Sequence, residues 1–172
     1  MATAVPAQPH AGLLDWLRDH HVEHEVHEHL ETFTATGTAR SEGVDARSFA
    51  KVVGVAANEG KHALILVDAP DHVDLSKARD VLGSGDVRLL TEAELAALTP
   101  GCEPGAMPAV GALFGLPMYA DWAVKDDAEI SFNAGSHRYS VRVDRAAWEH
   151  AAAVQYADLA SAADDRPAWA LS

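Results

Sequence analysis

The sequence predicts an α+β fold, built on a mixed and curled β-sheet of about six strands with flanking helices. Three observations indicate this class: segments that alternate apolar and polar residues, segments with apolar residues at helical spacing, and an order that lacks a regular βαβ rhythm. A chain of 172 residues, 48% hydrophobic and 23% charged, is typical of one globular domain. We therefore predict a single domain at residues 11–157, between tails at residues 1–10 and 158–172.

The N-terminal region contains a helical pattern followed by an alternating one. Over residues 11–21 the leucines recur at helical spacing, which predicts an amphipathic helix. Residues 22–27 alternate Val with Glu and His, which predicts a strand. Residues 32–40 are rich in Thr, Ala and Gly and predict a loop. Residues 45–49 then predict a short helix with Asp45 as its cap.

The central region is predicted to contain a strand that is buried on both faces. Residues 63–67 form a continuous apolar run, which is typical of such a strand. Thr91 and Glu94 have the spacing of a capping box, which opens a helix at residues 92–98. Gly and Pro dominate residues 99–111 and predict the longest loop. The remaining predicted elements are helices at residues 75–82 and 144–156 and strands at residues 87–90 and 117–121.

Residues 129–144 predict a β-hairpin. Two alternating runs at residues 129–133 and 138–143 flank the break at Gly135-Ser136. Gly135 can adopt a positive φ and lets a ligand approach the backbone closely. His137 follows at the edge of that turn. Taken alone, the pattern is also typical of a surface hairpin without a functional role.

Charge and cysteine content narrow the classes of function. The chain carries 13 basic and 26 acidic residues, a net charge of −13, whereas tight binding of nucleic acid depends on neutralising phosphates with Lys and Arg. No apolar run approaches the ~20 residues of a membrane span, and residues 1–10 lack the features of a signal peptide. Cys102 is the sole cysteine, and its neighbour Glu103 disfavours a reactive thiolate. A reducing, cytoplasmic location is therefore expected.

A cluster of histidines lies among acidic residues near the N-terminus: His20, His21, His24, His27 and His29. A structural zinc site generally needs four ligands that converge. No cysteine joins this cluster, and strand alternation places His24 and His27 on opposite faces. We therefore predict a solvated acidic edge and no metal site, so that any hydrolysis is independent of metal.

Four short segments, in order along the chain, resemble the YbaK/prolyl-tRNA-synthetase-associated domain family. Residues 132–137 (Phe-Asn-Ala-Gly-Ser-His) are similar to the family's f-n-a-G-x-H segment, and residues 49–53 (Phe-Ala-Lys-Val-Val) to its lysine-bearing segment. Residues 101–108 (Gly-Cys-Glu-Pro-Gly-Ala-Met-Pro) are similar to its Gly/Pro-rich substrate loop. Residues 117–121 (Pro-Met-Tyr-Ala-Asp) resemble its v-y-v-D strand. The resemblance extends over residues 13–152.

The sequence departs from the family pattern at one position of the loop. The family loop usually reads G-x-x-x-P, and counting from Gly105 places Ala109 where the family has Pro. Because Pro restricts the local φ, we expect an Ala109→Pro change to alter substrate preference more than stability.

The resemblance implies a trans-acting aminoacyl-tRNA deacylase that hydrolyses the ester of mischarged tRNA, with tRNA for proline as the expected substrate. The implied partners are the acylated 3′ end of the tRNA and an aminoacyl-tRNA synthetase, and the resemblance implies no cofactor. The implied catalytic residues are Lys51, Gly135 and His137. The implied substrate-binding residues are Gly101, Gly105, Pro108, Ser136 and Asp121.

The residue types suit such a hydrolysis. Ester hydrolysis needs donors for the oxyanion of the tetrahedral intermediate, and the backbone N–H groups of Gly101, Gly105 and Gly135 can supply them. Lys51 lies in an apolar run, where an ammonium without a ligand would be costly. His137 is assigned a supporting role, because the segment lacks the G-x-S-x-G elbow of a serine nucleophile.

Two other functions stay open at the level of sequence. One is a domain of the same fold that binds an acyl-adenosine-like ligand without hydrolysing it. The other is an acidic protein-interaction module in which Lys51 is incidental. For an editing domain, we expect weak binding of free tRNA, confined to a local basic patch around Lys51, Arg138 and Arg142.

Overall fold

The computed structural model describes residues 8–29, 34–43 and 45–162, and within them the α+β class is confirmed. The helices are α1 (Ala11–Asp19), α2 (Ala35–Glu42), α3 (Leu75–Leu82), α4 (Glu92–Leu98) and α5 (Arg145–Ala151). The strands are β1 (His24–Glu28), β2 (Ala50–Ala56), β3 (His62–Asp68), β4 (Asp71–Val73), β5 (Arg88–Leu89), β6 (Met118–Asp121), β7 (Glu129–Ser136), β8 (Tyr139–Asp144), β9 (Gln155–Ala157) and β10 (Ala160–Ala162). None of the helices in this part of the chain has the length and apolar content that a membrane span requires.

The strands are distributed over three sheets. A five-stranded mixed sheet has the order β5-β2-β3-β6-β9, in which β2 is antiparallel to β3 and β5, while β3, β6 and β9 run parallel. A three-stranded antiparallel sheet has the order β1-β8-β7, and β4 pairs with β10. The predicted hairpin is present as β7 and β8, with an irregularity between Asn133 and Ser136.

Local capping signals position the helices as predicted. Thr91 and Glu94 form the reciprocal capping box at the start of α4. The carboxylate of Asp74 accepts two backbone N–H groups at the start of α3, and Asp144 caps α5 in the same way with one. Asp45 caps a single 3₁₀ turn. These signals act within one helical turn, which explains why they can be recognised without the fold.

Residues 35–40, which the sequence predicts as loop, belong to helix α2. The Thr34 hydroxyl caps this helix by accepting the N–H of Gly37 at 3.0 Å, and Ala39 packs against Phe49 and Ala69. Burial of this apolar side chain outweighs the weak helix propensity of Thr and Gly. The predicted loop residues 32 and 33 lie outside the described residues.

The segment around Lys51, to which the sequence analysis assigns no element, forms β2 and pairs along its whole length with β3. Two predictions of secondary structure near the C-terminus need correction. The predicted helix at residues 144–156 ends at Ala151, and residues 160–162, which the sequence analysis assigns to a tail, form β10. The cause is a long-range contact: the Asp121 carboxylate accepts the N–H groups of Leu159 and Ala160, both at 2.9 Å.

The main core lies between the five-stranded and three-stranded sheets and includes the fully buried Trp148. The indole N–H of Trp148 donates to the backbone oxygen of Ala109 at 2.7 Å. Ala109 itself is completely buried in this core. The expectation that this position acts through loop conformation is therefore replaced by a packing role. A second core, on the other face of the five-stranded sheet, packs against α3.

We predict that Ala109→Pro lowers the free energy of unfolding by about 1–3 kcal/mol, since extra carbons in a filled core force neighbours apart. Thermal and denaturant unfolding of the variant would measure this loss. Ala109→Val is the matched comparison: it adds volume without restricting φ, so a packing role predicts a loss of stability in this variant as well. A Pro variant that unfolds like wild type while its acyl-tRNA preference changes would restore the loop explanation.

Candidate functional site

A cleft of about 480 Å³ brings together residues from distant parts of the chain. Its lining is formed by Thr34, Thr36, Lys51, Val52, Ala69, Pro70, His72, Gly105 and Asn133. Two of the predicted site residues, Lys51 and Gly105, therefore share one cavity although the sequence separates them widely. A second cleft of about 470 Å³ adjoins it and has Lys51 and His72 in its wall as well.

Lys51 is held in place by the strand pairing of the central sheet. It lies on β2 opposite Val67 of β3, and its side chain is half-buried. Burial lowers the pKa of the ammonium, and the nearby carboxylate of Asp71 opposes that shift. The Lys51 ammonium forms no hydrogen bond or close ion pair with any described residue. A half-buried cation without a direct partner is costly, and it is suited to bind an anionic or carbonyl group of a ligand.

The glycine loop at residues 101–106 is joined to β7 by two backbone hydrogen bonds. Gly135 donates its N–H to Ala106 at 2.9 Å, and Glu103 donates its N–H to the oxygen of Gly135 at 2.8 Å. The N–H of Gly135 is thus occupied and cannot act as an oxyanion donor in this state. Gly105 has a φ of +82° and lines the cleft, and its N–H has no acceptor among the described residues.

Gly135 is required by its surroundings. Its φ is +87°, and a Cβ there would lie 2.9 Å from the Cβ of His10 and 3.6 Å from the sulfur of Cys102. His10 also donates its backbone N–H to Ala134 at 2.7 Å. Residues 8–10, which the sequence assigns to a tail, therefore include one that packs directly against the site. Gly101, at φ +84°, lies against the same His10 ring.

His137 lies behind the glycine loop and outside the cleft lining. Its side chain is buried, and its Nε2 lies 2.9 Å from the oxygen of Pro104. Because a carbonyl only accepts, this nitrogen carries the hydrogen. The Nε2 atom also lies 4.0 Å from the carboxylate of Glu103. His137 thus holds the loop that carries Gly105, as a positioning residue.

Three predicted substrate-binding residues are used elsewhere in the structure. The Ser136 hydroxyl accepts the N–H of Arg138 at 3.1 Å within the hairpin turn. Pro108 is buried outside the cleft lining. Asp121 accepts backbone N–H groups with both carboxylate oxygens and holds the C-terminal segment. Its contribution is structural, and the short strand motif alone could not reveal the segment that it binds.

The structure adds Asn133, to which the sequence analysis assigns no role. Asn133 contributes to the cleft wall, and its Oδ1 atom is buried without a hydrogen-bond donor among the described residues. Buried acceptors are normally paired, so this atom is suited to accept a hydrogen bond from a ligand. In the sequence Asn133 is one of the polar residues of an alternating strand, between Phe132 and Ala134, so no local signal separates it from a solvent-facing residue.

A buried acidic residue next to the cleft, Asp68, has a strongly raised pKa. Asp68 is 4% exposed, and its burial, together with the nearby Asp127 and Asp71, raises its pKa to about 7. Arg47 opposes this shift from 3.8 Å and bonds Asp71 at 2.7 Å. Burial also raises the pKa of the Cys102 thiol to about 12, so this cysteine is no nucleophile at neutral pH.

Another cavity, of about 960 Å³, lies elsewhere, between α1, β1 and β8. It includes His21 and His24 from the histidine cluster, and no group of His, Cys, Asp and Glu among the described residues is arranged to hold a metal ion. Arg142 lines this cavity, and Arg138 lies 3.7 Å from Glu28. The predicted basic patch around Lys51 is therefore wrong, because neither arginine reaches the cleft.

Comparison with known proteins finds similarity over most of the chain. A model of the aminoacyl-tRNA editing domain matches residues 29–151. No curated protein matches the chain significantly. A crystal structure of a protein proposed to be a trans-editing enzyme for prolyl-tRNA synthetase is 27% identical, with a TM-score of 0.78, and the match covers 90% of this chain and 99% of that one.

Two further solved structures share the fold. One, from work on the computational grafting of linear epitopes onto scaffold proteins, is 28% identical, with a TM-score of 0.77 and coverage of 90% and 99%. The other, a hypothetical protein, is 17% identical, with a TM-score of 0.79 and coverage of 87% and 99%. The last likeness concerns the fold alone.

The raised pKa of Asp68 predicts a defined pH dependence of stability. Between the ordinary carboxyl pKa of 3.8 and the folded value of about 7, the folded state binds more protons than the unfolded state, so stability falls as pH rises through this window. Asp68→Asn removes this loss. Its unfolding free energy relative to wild type should therefore rise by more than about 1 kcal/mol from pH 4 to pH 8.

Chemical denaturation at several pH values would measure this difference. Asp80→Asn, at an exposed position of α3, is the control and should lack the trend. Parallel stability curves for wild type and Asp68→Asn would contradict the raised pKa.

Proposed function

Because this chain belongs to the aminoacyl-tRNA editing domain family, we propose that it is a trans-acting deacylase that hydrolyses the ester bond of mischarged aminoacyl-tRNA. The observation that carries this proposal is the Lys51 ammonium, half-buried in a cleft beside Gly105 and Asn133 and without a close ion pair. An ammonium without a close partner is suited to donate a hydrogen bond to an oxygen of the substrate.

The cleft residues supply complementary contacts for the acylated end of a tRNA. Lys51 would bind a phosphate or the ester carbonyl, and the N–H of Gly105 would donate to the oxyanion that forms when water adds to that carbonyl. The Oδ1 atom of Asn133 would accept a hydrogen bond from the substrate's amino group. His137 and Gly135 would act indirectly, by holding the glycine loop in the position that Gly105 requires.

Two adjoining clefts with Lys51 and His72 in both walls suit a ligand of two parts. The cleft with Gly105 and Asn133 would take the aminoacyl group. The other is bordered by Val53, Val73 and Leu89, whose apolar side chains would pack against the terminal adenosine. Breakdown of the tetrahedral intermediate would break the bond to the ribose oxygen, release the amino acid and transfer a proton of the attacking water to that oxygen. The resemblance implies that a neighbouring ribose hydroxyl assists this proton transfer.

We propose tRNA for proline as the substrate, supported by the 27% identity to a protein proposed to edit for prolyl-tRNA synthetase. A panel of mischarged tRNAs incubated with purified protein tests this directly. Release of the amino acid from tRNA for proline that carries a wrong amino acid, at catalytic protein concentration, is the expected result. Binding without release would indicate a non-catalytic domain, and neither would indicate an interaction module.

Lys51→Ala should lower kcat/KM for deacylation at least tenfold. The lost charge-assisted hydrogen bond is worth about 1.5–3 kcal/mol, and a tenfold rate change corresponds to about 1.4 kcal/mol. Stability should hold or rise, because the folded state no longer contains a desolvated cation. Lys51→Arg should restore little activity, since the planar guanidinium differs in shape from the ammonium.

Deacylation kinetics beside thermal melts would measure both effects. Lys61→Ala is the matched control, because it removes the same charge from an exposed position outside the cleft. Its activity should equal that of wild type. An unchanged rate in Lys51→Ala would end the assignment of this cleft as the editing site.

Free, uncharged tRNA should bind weakly at physiological salt. A net charge of −13 repels phosphate, and Lys51 is the sole lysine or arginine in the described lining of the cleft. Efficient turnover would then need a partner that holds the tRNA, and we propose an aminoacyl-tRNA synthetase. A gel shift with uncharged tRNA, with a basic tRNA-binding protein as positive control, would measure the affinity. A sub-micromolar complex would contradict this expectation.

A further inference from the structure

The outer edge of β1 is an open sheet edge. β1 pairs with β8 on one side, and no described strand pairs with it on the other. Val26, at its centre, is 43% exposed. An open edge presents unpaired N–H and C=O groups that can template another strand. This edge is five residues long, His-Glu-Val-His-Glu.

The pairing with β8 determines which backbone groups of β1 point outward. His29 donates its N–H to Arg138, and Asp144 donates its N–H to Glu23, so the odd-numbered residues form the hydrogen-bonded pairs with β8. In an antiparallel ladder these pairs alternate with pairs that are not hydrogen-bonded. The N–H and C=O groups of residues 24, 26 and 28 therefore face the open edge.

These three outward-facing residues match a second copy of the same strand in one register. If two β1 strands run antiparallel about a two-fold axis at Val26, Val26 lies opposite Val26, and His24 lies opposite Glu28. All the outward N–H and C=O groups then find partners. The same register places Glu25 opposite His27, in the pairs whose side chains approach most closely.

Neighbouring registers lack this complementarity. A shift in one direction places Glu25 opposite Glu25 of the other copy, which brings like charges together. A shift in the other direction places His27 opposite His27, which brings two potential cations together, and sets Glu28 against Val26 instead of a histidine. Only the register centred on Val26 sets each Glu of the strand against a His, and a His ring can donate to a carboxylate whether it is neutral or protonated.

We propose that β1 is a homodimer interface, through which two copies of the chain join their three-stranded sheets into one continuous antiparallel sheet about a two-fold axis at Val26. Such an interface is isologous, so every contact occurs twice. A five-residue edge buries little surface, and the dimer should therefore be reversible, with a dissociation constant on the order of micromolar.

Sedimentation velocity over a range of concentrations tests the dimer. Wild type should shift with concentration from its monomer mass of 18.3 kDa towards twice that value. Val26→Lys places two ammonium groups opposite each other at the axis and should weaken the dimer at least tenfold. Leu89→Lys alters another exposed apolar residue on a different edge strand, β5, and should leave the dimer intact.

Cysteine cross-linking tests the register independently. Two Val26→Cys residues would face each other with a Cα separation of about 5.5 Å, within the range that a disulfide spans. Mild oxidation should therefore yield a covalent dimer of this variant. Glu28→Cys residues would lie far apart and should form no covalent dimer, and wild type should form none through Cys102.

Several outcomes would overturn the proposal. They are a wild-type chain that stays at monomer mass at high concentration, a dimer that Val26→Lys leaves unchanged, and equal cross-linking of Val26→Cys and Glu28→Cys. Circular dichroism of each variant verifies that it is folded, so that loss of the dimer is assigned to the interface.

Discussion

The candidate site depends on the contact between Gly135 and the glycine loop. Two backbone hydrogen bonds, to Ala106 and from Glu103, fasten the loop to β7. The contact is possible because Gly135 adopts φ +87° and has no Cβ that would meet His10. Any other residue would strain the backbone and force His10 to shift. The position of Gly105 in the cleft follows from this pairing, which His137 supports from behind.

Lys51 illustrates how a fold sustains an unfavourable charge. Its strand pairs along its whole length with β3, whose side chains are almost all buried. This pairing offsets the free-energy cost of desolvating the ammonium. The acids nearby do not neutralise it by direct contact, because Asp71 is bonded to Arg47. The Lys51 ammonium therefore has no direct partner among the described side chains, and a ligand can pair with it.

The two acidic regions of the chain have different physical roles. Asp68 and Asp71 are buried beside the site, where burial and mutual repulsion raise the pKa of Asp68 to about 7. The Glu and His residues of β1 are at the surface, where alternating chemistry on an open edge selects one partner register. Acidic residues thus change the pKa of a neighbour beside the cleft, whereas on β1 they select the register of the partner strand.

Sequence alone determined what depends on nearby residues and on short motifs. The caps at Asp74, Thr91 and Asp144, the hairpin and the candidates Lys51 and Gly105 fall in this group, because local hydrogen bonds and glycine conformations leave a signal within a few residues. Tertiary structure decided the rest. It made a helix of α2, bound Asp121 to the C-terminal segment, buried Ala109 under Trp148 and brought Asn133 to Lys51. Each of these depends on contacts between residues that are distant in the chain, and such contacts leave no local pattern to read.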